Sequence, residues 1–196
     1  MTTTEPSISV SRDVDALTDK VFDYLARPAN HATIDGSGML RGTADDQVLS
    51  RVGETFEMEM HNDRLGDYVV ENRVVEYKPS RRIAWMPVLK SVARPDSEVQ
   101  LGVPAYNVWG WELSPLPGGG TRATEFFDCS ASPEWLRDAT NEGENWRAAI
   151  EASLANLARV FAGSTALVLR NQAQPTNRRS GTPPMRDPGT FPVSAR

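Results

Sequence analysis

One cysteine, two histidines and no long apolar run remove several common functions at the outset. With Cys129 as the only cysteine in 196 residues, no intrachain disulfide and no cysteine-rich metal site can form. This cysteine usage fits a reducing, cytoplasmic compartment. His31 and His61 stand far apart in sequence with no spaced partner, so no metal site and no cofactor are expected. The formal charge of −5 is unevenly spread: residues 1–163 carry 16 basic and 25 acidic residues, and residues 164–196 carry five arginines and one aspartate. An acidic body argues against nucleic acid as the main partner. No apolar run reaches the roughly 18–20 residues of a membrane span, so no membrane insertion is expected. The opening MTTTEPSISV lacks the basic start and apolar stretch of a secretory signal. No Ser-His-Asp or Cys-His arrangement can be read from the spacing. Gly36-Ser37-Gly38 lacks the Gly-Lys-Ser/Thr closure of a phosphate loop.

What is present is organised around Ser132 to Ala162. Ser132 reads as an N-cap, Pro133 suits the first helical position, and Glu134 places negative charge in the first turn. Trp146, Ile150, Leu154, Leu157 and Phe161 recur at steps of four, four, three and four, one apolar stripe of period about 3.6. The spacing predicts one long helix, ending at Gly163 as its C′ residue, with a bend at Gly143. Ala166 to Arg170 offers a further turn.

The remainder alternates. Ser7 to Val14 predicts a first strand. Asp15 to Ala26 predicts an amphipathic helix, closed by Arg27-Pro28, and Asn30 to Ile34 one more short turn. Gly36 to Asp46 reads as a glycine-rich entrance loop or mobile lid. Period two then predicts strands at Val48–Arg51, Glu54–His61, Asp67–Tyr77, Arg81–Met86, Tyr106–Leu113 and Thr121–Cys129. Pro87 to Pro104 reads as irregular, and Pro117 to Gly120 as a hairpin loop.

These elements define an α+β fold. Seven antiparallel strands are too wide for one helix to cover, so the sheet must curl around the C-terminal helix, leaving a cavity between them. Two short helices follow the first strand. Residues 1–6 are expected to be an extension, 7–163 a single domain, and 164–196, rich in proline and arginine, a disordered tail.

Four stretches carry a resemblance to a known superfamily: SISVSRDVDALTDKVFDYLARPANHATID, VVENRVVEYKPSRRIAW, the hairpin with GGGTRATEFFD, and the terminal helix. From Ser7 to Ala162 the chain resembles the SRPBCC (START-type and birch-pollen-allergen-like) helix-grip proteins, especially the bacterial polyketide cyclase/dehydrase branch. The resemblance implies a hydrophobic cavity holding a small apolar or aromatic molecule. Members include lipid carriers, hormone-binding proteins, aromatase/cyclases and co-chaperones, so fold alone does not choose among them.

Alternation nominates the residues inside that cavity. On Thr121–Cys129, Arg122 faces water, which turns Ala123, Glu125, Phe127 and Cys129 inward. The more apolar set on Asp67–Tyr77 places Asn72 inside with Tyr68 and Val70. Ile83 and Trp85 face inward, as do Asn107, Trp109 and Trp111 by the better of two guesses. Met58, Met60, Trp85, Trp109, Trp111, Phe127, Trp146 and Ile150 are thus the candidate ligand wall. Glu125 and Asn72 are its candidate polar groups, with His31, beside the entrance loop and four residues before Asp35, a third candidate for acid/base work. The plain alternatives are core packing for the tryptophans and, for Glu125, an outward face or a pairing with an arginine such as Arg73. His61 reads as an exposed turn residue and Cys129 as a small structural one. Two main readings follow: a binding module for a hydrophobic molecule, or a cyclase/dehydratase-like enzyme with Glu125 as acid/base and Asn72 orienting a carbonyl. An interaction protein using an exposed apolar patch is a third.

Overall fold

The computed structural model describes residues 6–44, 46–94 and 100–172, with only the backbone path for 163–172. Seven strands form one sheet: β1 (Ile8–Val14), β2 (Leu40–Gly42), β3 (Thr55–Asn62), β4 (Gly66–Lys78), β5 (Arg82–Val92), β6 (Val108–Leu116) and β7 (Gly120–Asp128). All neighbours are antiparallel, in the order β1-β7-β6-β5-β4-β3-β2. The helices are α1 (Thr18–Leu25), α2 (His31–Ile34), α3 (Glu134–Thr140) and α4 (Arg147–Gln172). This is the curled antiparallel sheet around a long C-terminal helix that the sequence predicts. Among the described residues, no helix is long and apolar enough to cross a membrane.

The core forms where the predicted periodicities converge. Ile150, Leu154 and Leu157 of α4 are buried with Ile8 and Val14 of β1 and Ala123 and Phe127 of β7. Phe161, at the far end of the stripe, packs edge-on against Tyr24 of α1, with ring centroids 5.7 Å apart. The outer face of β7 is also covered: the Arg82 guanidinium lies 4.2 Å above the Phe126 ring, a cation–π arrangement.

Several features differ from the expected path. The expected single helix Ser132–Ala162 is two helices. Asn141, Glu142 and Gly143 all take left-handed backbone, with φ of 51°, 51° and 94°, and a 3₁₀ turn (Glu144–Trp146) precedes α4. Gly143 is held in that break from two sides. Its φ favours glycine, and a Cβ would stand 3.0 Å from Ile8 Cγ2 and 3.1 Å from Phe127 Cδ1. Secondly, Ser132 does not cap α3. The cap position is Pro133, without a side-chain cap, and Ser132 is buried with its hydroxyl unpartnered. At the other end, α4 continues through Gly163 to Gln172.

The third and fourth differences concern the strand set. Val48–Arg51 is not a strand: Leu49 donates its N–H to Ala26 O and buries its side chain in the core. The seventh strand is instead β2, three residues inside the predicted loop, where the chain is too short to show a period. Lastly, β5 runs through Pro87 to Val92. Its register with β6 ends at Trp85, so Pro87 sits where β5 has a partner only in β4. A missing N–H is tolerated on such an edge. The expected N-terminal extension and the tail beyond Gln172 lie outside the described residues, Pro6 excepted.

Candidate functional site

Between the concave face of the sheet and the helices lies a cavity of about 360 Å³, within the usual range of roughly 300–1,000 Å³ for small-molecule sites. The sheet side is built by alternation: Met58 and Met60 from β3, Tyr68, Val70 and Asn72 from β4, Trp85 and Pro87 from β5. Trp109 and Trp111 of β6 and Glu125 of β7 continue the wall. The helix side comes from Trp146, Ala149, Ile150 and Ser153, spaced by three, four and seven residues from the first and so on one face. His31 and Ile34 of α2, the segment from Asp35 to Leu40, and Leu136 of α3 complete the enclosure.

Of the eleven residues nominated from the sequence, ten line this one space: Asn72, Glu125, His31, Met58, Met60, Trp85, Trp109, Trp111, Trp146 and Ile150. Phe127 does not. It faces inward as expected but lies behind the wall, its ring 4.8 Å from Trp109 and 6.2 Å from Trp146. Trp109 and Trp146 in turn meet edge to face at 5.3 Å. A second aromatic group adjoins this one, since Trp85 is the cross-strand partner of Trp109; His31 stacks on Trp85 at 5.1 Å and Phe56 meets the same indole edge-on.

The carboxyl of Glu125 is at the centre of the site's electrostatics. Burial pushes its pKa well above the usual carboxylate range. A hydrogen bond from the Ser153 hydroxyl opposes that shift, and the nearby Asp35 charge adds to it. The Ser153 Oγ also accepts the Gly36 N–H at 3.0 Å. The surroundings therefore favour the protonated carboxyl, and neither expected alternative, an outward face or a pairing with Arg73, occurs: Glu125 is buried and Arg73 exposed.

His31 is buried, and its Nε2 donates to Leu25 O at 2.7 Å, which leaves Nδ1 without a proton in the neutral ring. Burial depresses its pKa, with the Leu25 bond acting in the opposite direction. The His31 Nε2 bond goes to Leu25 and not to Asp35, four residues on. Asp35 instead organises its own loop, accepting the Ser37 N–H and Oγ–H on Oδ1 and the Leu40 N–H on Oδ2. That loop is also clamped rather than lid-like. A Cβ on Gly36 would lie 2.1 Å from Ala149 O, so only glycine lets the loop approach α4 this closely. His61 stands outside the cavity, its Nδ1 2.6 Å from Asp67.

Three polar atoms on the cavity wall are buried without a partner: Asn72 Nδ2, Glu125 Oε2 and Trp146 Nε1. Buried polar atoms are rarely left unpaired. Among the described lining residues there is no lysine or arginine. Tyr68, Val70 and Ser153 escaped nomination as site residues although their spacing contains them: the first two share the Asn72 face of β4, and Ser153 lies three residues after Ile150. Asp35, Ser37 and Met39 had no periodic signal.

A half-closed antiparallel sheet gripping a helix around an apolar cavity with few polar groups defines a helix-grip domain. The chain belongs to the polyketide cyclase/dehydrase and lipid transport family, whose model matches residues 5–162. It is 29% identical over 160 residues to the uncharacterized protein Rv0088 of Mycobacterium tuberculosis, a match over 79% of this chain and 64% of that protein. The chain thus spans less than two thirds of the length of the curated relatives it matches. Among solved structures it resembles protein Ms6760 of Mycobacterium smegmatis, at a TM-score of 0.56 and 14% identity over 80% of this chain and 90% of that one. The AHSA1 protein of Silicibacter pomeroyi is similar at a TM-score of 0.51 and 16% identity, over 80% and 98%. These likenesses establish the fold. Family and fold together support a ligand-binding helix-grip domain.

Proposed function

We propose that the chain binds one small, mostly apolar or aromatic molecule between its sheet and α4. The observation that carries this reading is the cavity itself: about 360 Å³ with tryptophans on its sheet and helix walls. A well-packed core leaves few voids larger than a water molecule. Four indoles on the wall, Trp85, Trp109, Trp111 and Trp146, make occupancy measurable. Titration with aromatic hydrocarbons, ketones and lipids, followed by tryptophan fluorescence and native mass spectrometry, is expected to give saturable binding of one molecule per chain. Absence of saturable binding across that panel at micromolar concentrations would remove the reading.

A second reading, a cyclase- or dehydratase-like enzyme, is favoured by one observation: the buried Glu125 carboxyl, its pKa raised by burial and its Oε2 unpartnered, on a residue of the cavity wall. A carboxylic acid held neutral at pH 7 can hand a proton to a carbonyl or hydroxyl oxygen as it develops charge. His31, neutral and with Nδ1 unprotonated, is the complementary base on the same wall. Asn72 would orient the carbonyl. Glu125→Gln separates the two readings, since it keeps a hydrogen-bond donor but cannot give up a proton. A carrier keeps its ligand in this variant, whereas an enzyme keeps binding and loses turnover.

A further inference from the structure

We propose that the cavity selects an uncharged, flat ligand carrying carbonyl-type acceptor oxygens on opposite sides, and discriminates against both plain hydrocarbons and carboxylate anions. The inference rests on the binding reading above and deepens it.

The argument starts from the sign of the unpartnered atoms. Asn72 Nδ2 and Trp146 Nε1 are donors only. Glu125 Oε2 becomes a donor once the carboxyl holds its proton, and the surroundings favour that state. Burial disfavours the charged form and outweighs the opposing Ser153 hydroxyl, Asp35 adds negative charge nearby, and no lysine or arginine lines the space among the described residues. A ligand that leaves these three donors unpaired forfeits a hydrogen bond at each; one that brings acceptors satisfies them. An anion would also accept from them, but it would have to shed its hydration in a cavity without a cation and beside Asp35.

The placement of the donors sets where the acceptors must be. Asn72 lies on β4 opposite Pro87, whereas Glu125 lies on β7 opposite Trp111, which itself pairs with Ile83. The two are three strands apart in the order β7-β6-β5-β4 and four residues apart along β5. At about 4.8 Å per strand and about 3.3 Å per residue they occupy different ends of the curled wall. Trp146 belongs to the Glu125 end, since its ring lies against Phe127 and Trp109, the register pair adjacent on that face to Glu125 and Trp111. One oxygen meets Asn72 and another meets Glu125 and Trp146. The apolar body between them faces Trp85, Trp109 and Val70.

Anthracene, anthraquinone and anthracene carboxylate share one ring frame and differ in these features alone. Affinities would be measured on the full chain by tryptophan quenching and calorimetry. Anthraquinone is expected to bind about tenfold tighter than either of the others, the size of one or two hydrogen bonds. Its carbonyl stretch should shift to lower frequency when bound. Asn72→Leu and Trp146→Phe should each reduce that preference about fivefold while leaving anthracene affinity within about twofold, which also shows that the variants fold. Glu125→Gln should keep the preference and Glu125→Leu should lose it. Equal affinity for the three probes in the unaltered chain, or tightest binding of the carboxylate, overturns the proposal and leaves the cavity a binding site of another selectivity. Variants that weaken all three probes by one common factor overturn it as well. If neither these probes nor the wider panel bind, the binding reading fails and this inference fails with it.

Discussion

The hydroxyl of Ser153 on α4 is hydrogen-bonded to the buried Glu125 carboxyl of β7, and the same oxygen accepts the Gly36 N–H at 3.0 Å. One side chain thus ties the helix, the sheet and the loop that closes the cavity, and it does so at an acid whose pKa burial raises well above the usual carboxylate range.

Ser153→Ala removes both bonds and leaves the Gly36 N–H and the second Glu125 oxygen unsatisfied. The expected cost is about 1–3 kcal/mol of folding stability, measured by urea denaturation. Because the Ser153 bond holds the Glu125 pKa down, the variant should also titrate that carboxyl at still higher pH, which carbon-detected NMR of the glutamate side chains would register.

Glu125 makes the protein less stable as pH rises. Its carboxyl ionises near 4.5 in the unfolded chain but well above that when folded. Between those two values the folded state holds the proton that the unfolded state releases. Stability therefore falls with pH across that interval, by at most about 1.4 kcal/mol per pH unit for one proton. Glu125→Gln should remove this slope and leave the variant relatively more stable at pH 7 than at pH 4. A denaturation series that gives parallel pH profiles for the two chains would contradict it.

His31 works at the acid end with the opposite sign. Its folded pKa lies below the unfolded value of 6.5, so the unfolded chain gains a proton first as pH falls. Its stability contribution is present above pH 6.5 and is lost as pH drops toward the folded value. His31→Leu should lower stability at pH 7, because the Leu25 bond and the stacking on Trp85 go, yet flatten the profile as pH falls below 6.5. Thermal melts at matched pH values test both halves.

Gly143→Ala is expected to cost about 1–3 kcal/mol or more. The backbone at φ 94° resists an L side chain, and the new methyl would press on Ile8 and Phe127. A control at Gly118, which has φ 93° but open space around it, carries the backbone cost alone. The difference between the two alanine variants in melting temperature isolates the packing part.

The parts of this fold that could be read from the sequence are those governed by period. The stripe Ile150, Leu154, Leu157 is core, and alternation put Asn72, Trp85, Trp111 and Glu125 on the correct face of four strands. What escaped has other physical origins. Gly143 marked a bend, but Asn141-Glu142-Gly143 interrupts the helix outright through left-handed dihedrals, and Glu142 is a residue that rarely takes them, so the full three-residue break did not show. The extension of β5 past Pro87 depends on where β6 stops, a property of the sheet and not of the strand. The role of Asp35 arises from loop hydrogen bonds that follow no period. Phe127 faces the correct way and still lines nothing, because facing inward does not say which ring lies in front.

The break at Asn141–Gly143 separates two tasks that a continuous rod would have coupled. Leu136 reaches the cavity from α3, whereas Ile150, Leu154 and Leu157 anchor α4 in the core. Side chains on α3 can therefore change in size, or the whole short helix can shift, without disturbing the register of α4 against the sheet.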